Sequence, residues 1–595
     1  MHPALTIVLA ALFALPATAQ SETDELRAAR ALFEANLGAI RDRDRDAYLA
    51  TYLRSKSLAR TGPEGFSLGW EGLAEGAGSA WPDTFEARDL RLVRVQPGVV
   101  YGTYRYRVRY GADEHAGLSE RLFVRTDGGW KIAMTSAFDS PAGTPPPPVA
   151  IVGGTMVTPG RDPVRDAVIV VRNGRIDCAG SRAACEVPPG IDRVDARGLW
   201  ITPGLVDAHV HYSQTGWADG RPDALDLRER HDYSAVQAEL QARPERFHRS
   251  WLCSGVTAVF DVGGYPWTLA MAHDSPENRR APHVVAAGPL LSTIDFWLNL
   301  PAARQFIFMK DEPSVREGVR YLAAAGSDAV KVWYIVTRDR DAADLAPLVL
   351  AAGEEAAKAG LPLIVHATGL EEAKVAARAG SHLLVHGVGD RPVDDELVSL
   401  LRASGTIYTP TLTVARGYLQ MAEGVASRTA PAIDDPNRCV DPQTRAKIES
   451  TATVDPSLVD SASLPRRREG LAARERVGAA NLARLHRAGI PVAMGTDAGN
   501  PLTLHGPSVH AEMEAMQQAG MTPLAVLEAA TRGGAAAMGR EHEIGSIEKD
   551  RIADLLLVAA DPAADVANLR AIRMVVRGGV VRTIEELSEI ARSEE

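Results

Sequence analysis

Two histidines lie one residue apart in the stretch DAHVH, at His209 and His211. Apolar residues precede them and a polar segment follows, which is the pattern expected where a buried strand ends. Side chains two positions apart on a strand point to the same face, so both imidazoles would face one site. Because imidazole nitrogens are common ligands of divalent metal ions, the pair predicts a metal site, provided that further ligands lie nearby.

Four other residues with metal-binding or catalytic side chains lie in later apolar segments of the same kind. They are Lys331 in AVKVWY, His366 in PLIVHA, His386 in HLLVHG and Asp497 in AMGTDAG. Taken singly, a histidine at a strand end is more often a hydrogen-bonded core residue, and an aspartate can cap a helix. Such residues at five strand ends are hard to explain as independent accidents. We therefore interpret them as one site.

The elements that must position these residues alternate between strand and helix patterns over residues 204–544. Eight strand candidates can be counted: LVDAHVH, VTAVFDVGG, HVVAAGP, AVKVWY, PLIVHA, HLLVHG, TIYTP and PVAMGTDA. Such alternation is typical of a parallel sheet with helices outside it, and eight units predict an α/β fold of the TIM (β/α)8 barrel type. In these barrels the chemistry takes place at the C-terminal ends of the strands, where the six candidates are found.

The flanking segments predict further domains. Short strands with glycine turns occupy residues 149–203 and return at 545–584, and we expect them to pair into one composite β-sandwich. Residues 140–148 belong to a proline-rich stretch that predicts a stiff linker. Before it, residues 22–139 combine an amphipathic helix with strands of period two, which indicates a separate α+β domain.

Composition and short sequence features limit the functions and the cellular compartments that the protein can have. The formal net charge of −11 argues against a surface that binds nucleic acid, and no run beyond the N-terminus is apolar for long enough to cross a bilayer. Residues 1–19 contain an apolar stretch and end in ATA, which predicts a cleaved signal peptide and export to the periplasm or beyond. In that compartment Cys178 and Cys185 could form a local disulfide or remain thiols, whereas nothing in their spacing pairs Cys253 with Cys439.

From Val149 to about Arg582 the chain resembles the amidohydrolase superfamily of binuclear metal-dependent hydrolases. The motifs DAHVH, VHA, VHG and GTDAG and the lysine of the fourth strand match in order, and HGPSVHAEMEAM is similar to the imidazolonepropionase-like and Xaa-Pro dipeptidase-like (prolidase-like) branch. The first domain, with its GWKI strand, resembles NTF2-like (SnoaL-like) domains, for which we expect an accessory or oligomerisation role.

The resemblance to amidohydrolases implies two divalent metal ions, with zinc as the default for a histidine-rich site. One ion would be held by His209, His211 and Asp497, and the other by His366 and His386. Lys331, as a carbamate formed with CO2, would bridge the two ions. The apolar neighbours of this lysine favour the neutral amine that such a reaction needs.

The implied activity is hydrolysis of C–N amide bonds in small substrates, either dipeptides or N-acyl amino acids, by a metal-activated hydroxide. Asp497 would carry the proton, and Tyr334 could donate a hydrogen bond to the substrate carbonyl. A small cationic site favours an anionic substrate, whose carboxylate His505 and Arg416 could hold.

Two other functions stay open at this stage. One is a cyclic amide or imine hydrolase, or a deaminase, that uses the same metals. The other is an exported ligand-binding protein with an inert barrel. We expect a small-molecule substrate and neither a nucleic-acid partner nor a membrane span, and we leave a homo-oligomer open.

Overall fold

The computed structural model describes residues 17–62, 65–78, 81–110, 113–139, 146–276, 278–295 and 303–588. Its contacts divide the chain into two compact units, Met1–Pro145 and Pro146–Glu595. This boundary falls within the predicted proline-rich linker, most of which lies outside the described residues. The predicted signal peptide also lies outside them as far as residue 16. None of the described helices is both long and apolar enough to cross a membrane.

The first unit is a mostly antiparallel sheet, in which the first strand pairs in parallel with the sixth and the first helix packs against the strands. Its elements are α1 (Ala17–Asp42), α2 (Arg45–Ala50), β1 (Ala59–Gly62), β2 (Gly65–Leu68), α3 (Trp70–Gly76), β3 (Thr84–Gln96), β4 (Val99–Tyr110), β5 (Asp113–Thr126) and β6 (Gly129–Asp139), with the strand order β2-β1-β6-β5-β4-β3. On β4, Tyr104, Tyr106 and Val108 are buried, as the period-two pattern predicts. Phe33 of α1 packs edge-on against Tyr104, with ring centroids 4.8 Å apart.

The second unit is a mixed α/β structure. Its strands are β7 (Val149–Met156), β8 (Val164–Arg172), β9 (Arg175–Ser181), β10 (Asp192–Asp195), β11 (Trp200–Pro203), β12 (Leu205–Val210), β13 (Val256–Asp261), β14 (His283–Ala286), β15 (Leu290–Ser292), β16 (Phe306–Phe308), β17 (Val330–Trp333), β18 (Leu363–His366), β19 (Leu383–Val385), β20 (Ile407–Thr409), β21 (Leu555–Val558), β22 (Ile572–Arg577) and β23 (Val580–Thr583).

The helices of this unit mostly alternate with its parallel strands. They are α4 (Tyr233–Ala242), α5 (Glu245–Cys253), α6 (Trp267–Asp274), α7 (Glu312–Ala324), α8 (Ala342–Ala359), α9 (Leu370–Arg378), α10 (Asp395–Ser404), α11 (Val414–Ser427), α12 (Pro442–Glu449), α13 (Leu464–Arg487), α14 (Ser508–Gln518), α15 (Pro523–Glu528), α16 (Gly534–Ala537) and α17 (Ile584–Leu587). A π-helical turn, Ala529–Gly533, joins α15 to α16.

Strands from both flanks of the second unit pair in a single sheet with the order β23-β22-β21-β11-β7-β8-β9, in which β10 also pairs with β7. The join is the antiparallel pairing of β11 with β21, in which Trp200 lies opposite Val558. The apolar residues that alternate along these strands form the buried cluster beneath the sheet, including Ile151, Ile169 and Leu557.

All described strand pairs between β12 and β20 are parallel. The sequence reading needs two corrections here. The third predicted strand, HVVAAGP, forms only β14, which pairs with β13. The short strand β15, which was not predicted, follows it and pairs with β17. The eighth predicted strand makes only isolated bridges, Tyr408 with Val492 and Val210 with Ala498. Its backbone is left-handed at Asp497, where φ is 64°, and a left-handed residue does not continue a regular strand.

The chain between α11 and α13 is tied to the rest of the second unit by a disulfide between Cys253 and Cys439. Spacing alone did not suggest this pair, because 186 positions separate the two residues. Cys178 and Cys185 form the local disulfide that the sequence left open. Both bonds are of the kind that persists in oxidising compartments.

A buried polar triad links the parallel strands to the flank sheet. His283 of β14 donates from Nε2 to Asp554 Oδ2 at 2.8 Å, and Arg577 of β22 donates to His283 Nδ1 at 3.2 Å. All three side chains are 2% exposed. Burial lowers the pKa of His283 to about 4, so this imidazole is neutral and Asp554 is the anion that balances Arg577.

We expect Asp554→Asn to lower the free energy of unfolding of the second unit by about 3–5 kcal/mol, because the change leaves a buried guanidinium without its anion. Urea unfolding followed by circular dichroism measures the loss. The control is Asp177→Asn, because Asp177 is about half exposed and pairs with Arg172 at the surface. That control should change stability by less than about 0.5 kcal/mol. Equal effects in the two variants would contradict a structural role for the triad.

Candidate metal and active site

The six predicted ligands line one cavity at the C-terminal ends of the parallel strands. They follow the strand series, with His209 and His211 at the end of β12, Lys331 within β17, His366 at the end of β18, His386 directly after β19, and Asp497 in the segment that bridges β20 and β12. The short parallel strands bring these positions to the same edge, and alternation turns their side chains inward.

The Asp497 carboxylate lies where the imidazoles converge. Its Oδ1 atom is 3.3 Å from His209 Nε2 and 3.0 Å from His211 Nε2, and its Oδ2 atom is 4.0 Å from His386 Nε2. The ligand atoms of His209, His211 and Asp497 all lie within 4.8 Å of one another. The rings of His366 and His386 are neighbours, with centroids 4.3 Å apart. Such spacing suits ligands that share divalent cations.

Two of the imidazoles are oriented by hydrogen bonds on the ring nitrogen that faces away from Asp497. His211 donates from Nδ1 to the carbonyl oxygen of Gly263 at 2.6 Å, and His386 Nδ1 is 2.8 Å from the hydroxyl of Thr411. A proton on Nδ1 leaves the Nε2 lone pair free for a metal. Histidine ligands of metal ions usually donate a hydrogen bond from their other ring nitrogen in this way. The backbone of His386 is left-handed, with φ of 76°, so surrounding structure must hold it there.

Burial determines the charge state of these groups. The pKa values of His209, His366 and His386 are lowered well below the usual histidine value, first by burial and then by neighbouring positive groups. Burial also lowers the pKa of Lys331 to about 7, against the opposing effect of Asp497. The Lys331 Nζ atom has no hydrogen-bond partner among the residues that the structure describes.

The donor set therefore fits divalent metal ions. The imidazoles offer nitrogen lone pairs and Asp497 offers carboxylate oxygens. The lowered pKa of Lys331 favours the neutral amine, which is the form that reacts with CO2. Without metal ions, this cluster would place several poorly satisfied polar groups in a buried space. We conclude that these residues form a candidate metal site.

A second buried carboxylate holds the loop that carries Thr411. Glu512 of α14 accepts hydrogen bonds from the backbone N–H groups of Leu412 at 2.7 Å and Thr413 at 3.0 Å, and from the Thr413 hydroxyl at 2.8 Å. Thr411 in turn contacts His386. The motif HGPSVHAEMEAM contains Glu512, so the sequence marked the segment, but it did not reveal this positioning role.

Three predicted substrate contacts are placed elsewhere by the structure. Tyr334 follows Trp333 and faces away from the cavity, because strand residues alternate; its hydroxyl donates to the Ala342 carbonyl at 2.5 Å. His505 is buried behind the site, stacked on Phe247 at 3.8 Å, with Nε2 donating to the His211 carbonyl at 3.1 Å. These two residues therefore support the site from behind and do not reach into the cavity.

Arg416 is the third predicted substrate contact that lies outside the cavity. It lies on the outer face of α11, with its side chain 54% exposed and 3.0 Å from Glu475 of α13. Val414 and Tyr418 line the cavity from the same helix because they are four positions apart and share a face. Arg416, two positions from each of them, points away.

Arg221, which the sequence reading missed, is an arginine that does line the cavity. It follows β12 in the polar run ADGRPDALD, a segment whose only sequence signal is its position after the two histidines. Arg221 forms a two-fold ion pair with Asp223, Nε to Oδ1 at 2.8 Å and Nη2 to Oδ2 at 2.7 Å. It also donates from Nη1 to Asn500.

The profile of the Amidohydrolase family matches residues 200–582, which is more than half of the 595 residues. The chain therefore belongs to the amidohydrolase family, whose members are typically metal-dependent. The match includes all six residues of the candidate metal site.

Two curated relatives match over shorter stretches. Imidazolonepropionase from Cupriavidus metallidurans is 51% identical over 134 residues, covering 19% of this chain and 32% of the relative. N-acyl-D-aspartate deacylase from Alcaligenes xylosoxydans xylosoxydans is 37% identical over 75 residues, covering 13% and 14%. The chain thus spans less than a third of the length of either relative.

Among solved structures, a Xaa-Pro dipeptidase with methionine bound in its active site matches with a TM-score of 0.54 and 22% identity, over 73% of this chain and 100% of that chain. At this identity the likeness concerns the fold alone. Family membership together with the relatives supports a hydrolase that acts on C–N bonds.

Lys331→Ala is expected to bind fewer divalent ions per chain than the unsubstituted protein, because the change removes a buried ligand group. Elemental analysis after dialysis measures the ion content, and short carboxylates such as acetate should restore part of it. Lys358→Ala is the matched control, because that side chain is 66% exposed on α8. Unchanged ion content in Lys331→Ala would remove the lysine from the metal site.

Proposed function

We propose that the protein is a metal-dependent hydrolase that cleaves C–N amide bonds of small substrates, either dipeptides or N-acyl amino acids. The observation that carries the proposal is the convergence of four imidazoles, the Asp497 carboxylate and the Lys331 amine in one cavity. A cavity of about 260 Å³ suits a substrate of that size.

The six candidate ligands would bind two ions. His209, His211 and Asp497 would hold one, His366 and His386 would hold the other, and Lys331 as its carbamate would lie between them. When bound, the ions supply Lewis-acid activation of the substrate carbonyl and of a water molecule.

In this proposal, Asp497 moves the proton. Its carboxylate would accept a proton as water adds to the amide carbon, and would then donate it to the leaving nitrogen, so that the products are a carboxylic acid and an amine. The backbone N–H of Asp497 donates to the His209 carbonyl at 2.7 Å, which limits how far the carboxylate can swing.

Hydrolysis of a cyclic amide or imine, or deamination, is the second candidate, and the imidazolonepropionase relative favours it. The same metal site could serve either reaction, so the two differ in substrate alone. A panel that contains linear N-acyl amino acids, dipeptides and cyclic amides, tested on metal-loaded protein, separates them. An inert ligand-binding role is the weaker alternative, because the complete set of six candidate ligands speaks against a decayed site.

Three further features belong to this proposal. The two isolated bridges of the segment 492–498 support closure of the parallel strands into a (β/α)8 barrel. The strand order and outer helices of the first unit are compatible with an NTF2-like accessory domain. The two disulfides support an exported, oxidising location.

Asp497→Asn should fold normally but lose at least about a hundredfold in kcat, because an amide cannot accept and return the proton. Steady-state assays on a good substrate at matched metal content measure the loss. Asp395→Asn is the control, since that carboxylate is fully exposed on α10. A kcat within about threefold of the unsubstituted protein would contradict the proton-transfer role.

A further inference from the structure

The cavity above the metal site has two chemically different patches. The apolar patch consists of Leu290 and Phe306, which begin β15 and β16, and Trp333, which ends β17. The polar patch consists of Arg221, Tyr418 and Asn500, which follow β12, β20 and the 492–498 segment. The strand order therefore places the two patches beside different metal ligands, so a substrate that touches both must extend across the site.

The polar patch is built around a guanidinium group. Arg221 uses three of its five N–H groups on Asp223 and Asn500, and it lies over the ring of Tyr418 at 5.5 Å. The Tyr418 hydroxyl donates to the Asn500 amide oxygen at 2.5 Å. The guanidinium of Arg221 lines the cavity wall, and a carboxylate is the best-matched acceptor for the N–H groups of such a planar cation.

Asn500 fixes the distance from this cation to the reaction centre. Its side-chain amide donates to the backbone carbonyl of Asp497 at 2.9 Å, while its oxygen accepts from Arg221. A carboxylate bound at Arg221 would therefore lie near the Asp497 loop. In an N-acyl amino acid only the α-carbon separates the carboxylate from the scissile nitrogen, so a carboxylate site beside the reaction centre suits such a substrate.

The apolar patch presents aromatic surface next to a predicted ligand. The rings of Phe306 and Trp333 lie 5.1 Å apart, and the Trp333 ring is 6.4 Å from that of His366. Leu290 completes the patch and belongs to the same buried cluster as Phe306. An apolar or aromatic acyl group fits this surface, since rings stack favourably at such distances.

The charges of the cavity decide between the two substrate classes left open above. Among the described residues that line it, Asp497 is the one carboxylate. A dipeptide with a free N-terminus would bring its ammonium group to the apolar patch, where no described acidic side chain lines the wall. An N-acyl amino acid has no such charge, so it avoids an unpaired buried cation.

We infer that the preferred substrates are N-acyl amino acids whose apolar, preferably aromatic, acyl group packs on Leu290, Phe306 and Trp333, and whose free α-carboxylate binds Arg221. This inference rests on the proposed C–N hydrolase function and narrows its substrate class. In it, Arg221 and Trp333 are specificity-determining residues.

The test uses three compounds that differ by one group each: N-(3-phenylpropanoyl)alanine, its carboxamide, and phenylalanylalanine, which adds only the α-ammonium group. Each is assayed in both alanine enantiomers on metal-loaded full-length protein. We expect kcat/KM for the N-acyl acid to exceed that for its carboxamide by roughly ten- to a thousand-fold, the scale of one charged hydrogen-bond contact. The free dipeptide should also be cleaved at least about tenfold less efficiently than the N-acyl acid.

Arg221→Met should remove most of the preference for the acid over the carboxamide, and Arg221→Lys should keep part of it. Arg416→Met is the matched control: it removes an exposed arginine that pairs with Glu475, and the preference should stay intact. Trp333→Ala should lower kcat/KM for the phenylpropanoyl substrate more than for N-acetylalanine. Metal content and circular dichroism are measured for each variant to show that the site is loaded and folded.

The outcomes distinguish a failure of the substrate inference from a failure of the proposed hydrolase function. Equal rates on the acid and the carboxamide, or equal losses on both in Arg221→Met, would overturn carboxylate binding by Arg221. Faster cleavage of the free dipeptide would overturn the preference for N-acyl substrates. No turnover of any amide by metal-loaded protein would remove the proposed function itself, and the inference with it.

Discussion

The site depends on one buried carboxylate that ties the first parallel strand to the last. Asp207 accepts hydrogen bonds from the backbone N–H groups of His209 at 3.2 Å and Thr496 at 2.9 Å, and from the Thr496 hydroxyl at 2.6 Å. It is fully buried, and burial raises its pKa to about 7. The segment with Asp497 makes no regular ladder, so these bonds, together with two isolated bridges, determine where the Asp497 carboxylate lies relative to His209.

Around this anchor, burial and hydrogen bonds control the side chains of the candidate metal site. Burial lowers the pKa values of His209, His366 and His386 and that of Lys331. The Gly263 carbonyl, which accepts from His211, and the Thr411 hydroxyl, which contacts His386, set which ring nitrogen of each histidine faces the centre. A cluster of neutral donors beside one carboxylate has a strong affinity for cations, because their binding relieves the unsatisfied polar groups. The same physical arrangement thus explains the ligand set and its buried position.

The part of the cavity wall that contains Arg221 is held in place by contacts between segments that lie far apart in the sequence. The loop with Arg221 is fastened to the α11–α13 connection by the ion pair of Lys447 with Asp219 at 2.7 Å and by the Trp217 indole, which donates to Thr451 at 2.9 Å. The disulfide of Cys253 with Cys439 anchors that connection in turn. The position of Arg221 therefore depends on a connection that is distinct from the strands that carry the six candidate ligands.

Much of the site could be predicted from sequence because its determinants are local. Strand alternation and residue type were enough to select His209, His211, Lys331, His366, His386 and Asp497, which the structure brings into one cavity. The choice of Tyr334 over Trp333 failed by one position, since the exact end of a strand decides which face a side chain takes. The roles of Arg221, Glu512 and the pairing of Cys253 with Cys439 were decided only by tertiary packing. Each joins segments far apart in the chain, and the spacing of residues in a sequence contains no information about which distant segments come into contact.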